Sequence, residues 1–166
     1  MITPGNFEQF LPRLSSCGVN YILIGGGAAI AHGLARATYD VDIIYERSPE
    51  NLVALVEAMR DLNPYYRGAP RGLPFTFDVR TLDSGLNFTL TSDWGDIDLL
   101  GEVAGNGSYG TLIEHVDTIE LFGHQIAVVT LPKLIALKRA AGRPKDFESI
   151  AELEALDEER NEQRGL

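Results

Sequence analysis

Cysteine, histidine and tryptophan are scarce in this chain, with one Cys, three His and one Trp among 166 residues. The lone Cys17 excludes an internal disulfide and fits a reducing, cytoplasmic setting, which is the location expected. Histidines at 32, 115 and 124 beside a single thiol do not make a zinc site. His32 is read as a packed or surface histidine, and neither His115 nor His124 is given a role. Long apolar runs are also missing. Tyr21 to Ile24 and Ile126 to Val129 are strand-length, far too short to span a bilayer. The opening MITPGNFEQFLPRL has neither the basic start nor the apolar stretch of a secretion signal, so no membrane partner is expected. Positive charge is in deficit: 14 Lys and Arg stand against 24 Asp and Glu, a formal net charge of −10. That argues against an extended nucleic-acid-binding face while leaving room for a local basic pocket. No Gly-Lys-Ser/Thr occurs, so a Walker loop is absent.

What is present suits one domain over residues 1–166, with a polar tail from about 158 expected to fray. A chain this long buries roughly 70% of its unfolded surface and needs no covalent staple. Phe7, Phe10, Leu11 and Leu14 recur at helical spacing, predicting a helix over 4–17. A strand at Tyr21–Ile24 runs into Gly25-Gly26-Gly27, and a small-residue helix follows over 28–34. Tyr39–Tyr45 is a second strand, with parallel pairing to the first expected from the intervening crossover helix. Pro49 opens an amphipathic helix to about Leu62. Residues 63–74, NPYYRGAPRGLP, have loop chemistry and include Arg67 and Arg71, either of which could meet nucleotide or acceptor. Strands are expected at 75–80, 86–91 and 95–100, with a short helix near 111–115. A hairpin should occupy 119–129, and helices 131–141 and 144–160. The fold class is therefore α/β, a mixed sheet flanked by helices.

The chemistry concentrates between Ile22 and Tyr45. Glycine lets backbone amides approach a phosphate, and here a glycine run follows a strand and opens a helix. Residues two apart on a strand share a face, so Asp40 and Asp42 present their carboxylates together. Carboxylates that close repel unless a cation intervenes, and an all-oxygen set favours Mg2+ or Mn2+. WGDIDLL supplies a third acid, Asp98, between Ile97 and Leu99, with Asp96 in reserve at the expected strand entrance. A Rossmann site fails on detail, because Ile30 stands where glycine or alanine is needed and two aspartates open the return strand.

Gly25-Gly26, thirteen residues, Asp40-Val41-Asp42 and a later Ile97-Asp98-Leu99 together resemble the signature of DNA polymerase β-type nucleotidyltransferases. The string GGGAAIAHGLARATYDVDI and the closing LPKLIALKRAAGRPKD resemble a bacterial stand-alone subgroup related to abortive-infection toxin–antitoxin proteins. The resemblance implies the nucleotidyltransferase fold, with Asp40, Asp42 and Asp98 as metal-binding catalytic residues and Mg2+ or Mn2+ as cofactor. It implies that Gly25, Gly26, Gly27, Arg36, Thr38 and Lys138 meet a nucleoside triphosphate. Arg36 either contacts phosphate or braces the aspartates, and the sequence leaves both open. Lys138 lies in the one dense basic region, with Lys133, Arg139, Arg143 and Lys145. Asp146 reads as a first-turn helix residue. The implied reaction moves a nucleoside monophosphate onto a hydroxyl of a protein, an RNA or a small molecule. Many active members carry Gly-Ser where this chain has Gly25-Gly26-Gly27. The alternative is therefore a weakly active or inactive binding module, such as a toxin–antitoxin partner for another protein.

Overall fold

The computed structural model describes residues 6–35, 38 and 40–165. Arg36 and Tyr39, a site candidate and an expected strand start, lie outside the described residues, as does the expected helix start at residue 4. The first half of the chain forms α1 (Phe7–Ser16), β1 (Tyr21–Leu23), α2 (Gly25–Ala31), β2 (Val41–Tyr45), α3 (Pro49–Met59), β3 (Tyr65–Tyr66) and α4 (Val79–Ser84). The second half forms β4 (Asn87–Thr91), β5 (Ile97–Leu100), β6 (Glu102–Val103), β7 (Gly107–Ser108), α5 (Tyr109–Leu112), β8 (Val116–Leu121), β9 (His124–Val129), α6 (Leu131–Ala141) and α7 (Phe147–Arg164). Seven strands make one mixed sheet in the order β3-β4-β5-β2-β1-β9-β8, and β6 and β7 form a small separate hairpin.

Alternation on the central strands decides which face is core. Val41, Ile43, Ile97 and Leu99 are wholly buried, while Asp42 and Asp98 on the same strands are turned to the other face and only partly covered. Phe10, Leu11 and Leu14 of α1 and Leu52, Leu55 and Met59 of α3 complete the packing. Local chemistry sets the helix limits. The Ser48 side chain accepts from Asn51 N ahead of Pro49, and Thr130 accepts from Lys133 N ahead of Pro132. Gly142, at φ +63°, takes the left-handed conformation that ends α6.

Three expectations are corrected. β1 and β2 pair antiparallel, with Tyr21 opposite Tyr45 and Leu23 opposite Ile43. The helix between them has seven residues, about 10 Å of rise, and starts directly off the end of β1. The chain makes a there-and-back excursion at one sheet end and never travels the strand's length. Parallel pairing falls instead between β2 and β5 and between β1 and β9. Second, residues 75–80 hold no strand, although FTFDVR alternates. The Asp78 side chain accepts from Thr81 N and starts α4, while Phe75 packs on the rings of Tyr65 and Tyr66. Third, the glycines expected ahead of the second helix form its first turn.

The polar stretch from 158 continues α7 to Arg164, and Arg160 ties it to α2. The Arg160 guanidinium donates to the His32 carbonyl and to His32 Nδ1, at 3.1 Å for the ring contact. That contact assigns the neutral tautomer in which Nε2–H donates to the Val129 carbonyl at 2.7 Å. His32 is thus a fully engaged core residue. Among the described residues no helix is long and apolar enough to cross a membrane.

Candidate functional site

The register of β2 against β5 sets Asp42 directly beside Asp98. The antiparallel return of β2 sets the same Asp42 against the glycine turn, where Ile24 N donates to the Asp42 carbonyl. Gly25 is at φ +65°, and a Cβ there would stand 2.4 Å from Asp42 Oδ2. Only glycine lets the chain pass this close to the carboxylate. At Gly26 a Cβ would meet Thr38 Oγ1 at 2.6 Å, so the threonine side chain occupies the space that a side chain at 26 would need. At Gly27 a Cβ would stand 2.5 Å from the Phe7 ring; that glycine serves packing under the site.

Asp42 carries the cost of this crowding. Its carboxyl is pushed up to about 8, first by burial, then by the hydrogen bond and charge of Asp98 and the charge of Asp40, with Arg67 pulling it down. Its Oδ1 is buried without a hydrogen-bond partner. Arg67, just past β3, reaches three of the acids: 2.7 Å to Asp98 Oδ1, 3.2 Å to Asp96 Oδ2 and 3.7 Å to Asp40 Oδ2. The Asp96 contact has ion-pair distance but not hydrogen-bond alignment, because Nε has no hydrogen-bond acceptor. Asp40 itself lies just before β2 rather than on it.

A cleft of about 510 Å³ opens beside the acids. Its walls include Gly25, Gly26, Thr38, Asp40, Asp42, Asp98 and Lys138, so seven of the nine site residues expected from sequence meet in one place. Gly27 lies beneath it and Arg36 lies outside the described residues. The same cleft gathers Arg143, Lys145 and Asp146. Asp146 stands in the opening turn of the closing helix, as expected, and is more than a solvated residue there. It is buried in the short 3-10 turn Pro144–Asp146, with Arg143 Nε at 2.7 Å and Lys138 Nζ at 3.6 Å. Burial alone would raise its carboxyl, but the Arg143 bond and the Lys138 charge outweigh this and leave it below the usual range. The Gly142–Pro144 turn was the available signal, since an abrupt stop after a basic helix end turns the next residues back across that end. A second cleft of about 470 Å³ shares Gly25, Asp42, Asp98, Lys138 and Arg143 with the first and has more apolar walls, among them Leu100, Val103, Leu134 and Leu137. Sequence reasoning did not anticipate it.

Among the described residues no three His, Cys, Asp or Glu side chains form a ready-made metal site. The donor set nonetheless suits a hard divalent cation. It consists of oxygen atoms only, one of them buried and orphaned, in a cluster whose negative charge a single guanidinium does not balance.

No known family's sequence profile matches the chain, and no curated protein matches it. The crystal structure of a candidate nucleotidyltransferase from Thermotoga maritima, TM1012, is similar in fold at 15% sequence identity and a TM-score of 0.51. The match covers 94% of this chain and 91% of that one. The chain therefore has the nucleotidyltransferase fold, a mixed sheet flanked by helices.

Proposed function

We propose that this chain is a metal-dependent nucleotidyltransferase that moves a nucleoside monophosphate from a triphosphate to a hydroxyl of an acceptor. The observation that carries the reading is the in-register pair Asp42–Asp98 facing a cleft that also holds Lys138, Arg143 and Lys145. One pocket thus offers both kinds of group that the substrate chemistry requires: paired carboxylates to bind cations, and Lys138, Arg143 and Lys145 to bind phosphates.

Asp40, Asp42 and Asp98 would hold Mg2+ or Mn2+, which when bound would stabilise charge on the attacking and leaving oxygens. The chain's own groups do the rest. Lys138 and Arg143, braced by Asp146, hold the triphosphate on the basic side of the cleft. Gly25 and Gly26 bring the backbone of the turn up against Asp42 and Thr38, so that its amides and the Thr38 hydroxyl meet the phosphates together. Asp98, with one face toward each cleft, takes the proton from the acceptor hydroxyl as it attacks. Pyrophosphate leaves on the Lys138 side.

Calorimetry of each nucleoside triphosphate with Mg2+ or Mn2+ tests this on the wild type and on Asp40→Ala/Asp42→Ala. Metal-dependent binding that disappears in the folded double variant is expected. Absence of binding to any triphosphate by the folded wild type would refute the enzyme and favour the alternative, a non-catalytic partner in a toxin–antitoxin pair. That alternative draws on the missing hydroxyl at Gly26.

A further inference from the structure

The four acids at the site need more positive charge than one side chain supplies, and the way they share it is informative. Arg67 is only 27% exposed, and its Nη2 donates both to Asp98 and to the Leu90 carbonyl, at 2.7 and 2.8 Å. Its other contacts are poorer, at 3.7 Å to Asp40 and without hydrogen-bond alignment to Asp96. It makes no ion pair with Asp42 and reaches it only through its charge, and Asp42 Oδ1 stays without a partner. A structural ion pair would be expected to match one guanidinium to one carboxylate in fork geometry. Here one guanidinium is spread over three carboxylates that have no other cation among the described side chains, and the fourth acid, Asp42, takes no bond from it.

The backbone fits a side chain that exchanges partners. Tyr65 and Tyr66 are fixed by pairing to Thr91 and Leu90, and Arg67 N donates to the Thr89 carbonyl. The chain beyond it is self-contained: Tyr65 OH donates to the carbonyls of Pro70 and Leu73, and Arg71 lies over the Tyr65 ring. Nothing in that loop depends on the Arg67 head group, so the guanidinium can leave the acids without unfolding its surroundings.

We infer that Arg67 is a tethered counter-ion that occupies Asp98 in the metal-free protein and is displaced from it when a divalent cation binds. The inference rests on the metal-binding reading of the acids. Arg67 offsets part of the acids' charge before loading, and the exchange sets the cation concentration at which the site fills.

The test titrates Mn2+ into wild type, Arg67→Ala and Arg67→Gln, following free Mn2+ by electron paramagnetic resonance with melting curves as the folding control. Glutamine retains a donor for the Leu90 carbonyl and loses the charge, so it serves if alanine misfolds. Either folded variant should bind Mn2+ about tenfold more tightly, the equivalent of about 1.4 kcal/mol for one charge-assisted bond given up. In the wild type, Mn2+ should speed modification of Arg67 by phenylglyoxal, read by peptide mass mapping. Equal or weaker Mn2+ binding by the folded variants, with wild-type binding intact, would overturn the inference and leave the proposed function standing, as would unchanged Arg67 reactivity. Absence of Mn2+ binding in every protein would overturn both. Binding gained only in the variants would support the inference strongly.

Discussion

Replacing Asp42 by asparagine should stabilise the metal-free protein at neutral and mildly alkaline pH, although it removes a residue central to the proposed chemistry. The Asp42 carboxyl rises from 3.8 to about 8 on folding, through burial above all. The folded chain therefore keeps a proton that the unfolded chain has lost. This costs nothing below the unfolded value and costs progressively more as pH climbs to about 8, so stability falls with pH across that window. Converted at about 1.36 kcal/mol per unit, the full interval sets a ceiling of roughly 5–6 kcal/mol. Charge shared with Asp98, Asp40 and Arg67, and water reaching the cleft, bring the working figure to about 2 kcal/mol. The amide of the substituted side chain still donates to Asp98, as the protonated acid does, without the ionisable proton. For a chain of this size about 2 kcal/mol is a rise of about 4–8 °C in Tm. Melting curves in chelator from pH 4 to 8.5 should converge at the acid end and separate toward pH 8, the variant higher. Coincident curves at pH 8, or a variant that melts lower there, would refute the account of Asp42.

Three further outcomes are expected. Gly26→Ser should cost about 1–3 kcal/mol in urea unfolding because its side chain meets Thr38. Gly26→Ser/Thr38→Ala should recover most of that, and with it the triphosphate binding that Thr38→Ala alone weakens. Lys138→Ala should weaken triphosphate binding about tenfold by calorimetry while leaving Mn2+ affinity unchanged, because Lys138 meets Asp146 and the clefts rather than the paired acids. His32→Leu should lower stability by about 2–3 kcal/mol, since it strands the buried Val129 carbonyl and frees Arg160.

What sequence could reveal depended on how local the cause was. Helix α6 was readable to the residue, because Thr130, Pro132 and Gly142 mark both ends within the chain's own neighbourhood. That Asp42 and Asp98 each turn away from the core was readable from alternation on their own strands, and so was the β8–β9 hairpin from its glycine turn. The direction of β2 was not, since nothing in residues 24–40 states whether the chain returns to the end it left. The alternating aromatics of FTFDVR point to a strand, and the cap that Asp78 provides for α4 was not read from the sequence. Arg67 stood in the sequence as one of two loop arginines. Its three acidic neighbours come from β5 and from the approaches to β5 and β2, so their convergence exists only in three dimensions. Asp146 shows the same limit, a helix-start residue by pattern and a buried brace by packing.

The register of β2 against β5 also limits how this protein can change over generations. Asp42 and Asp98 share their strands with Val41, Ile43, Ile97 and Leu99, all wholly buried, on the opposite face. Adding or deleting one residue in either strand would turn acids into the core and aliphatics into the cleft at once. The site can therefore be lost by substitution but hardly by a length change, which would take the fold with it. Lineages that abandoned the chemistry should keep both strand lengths intact and differ in side chains alone, whereas the segment after Arg67 is free to grow or shrink.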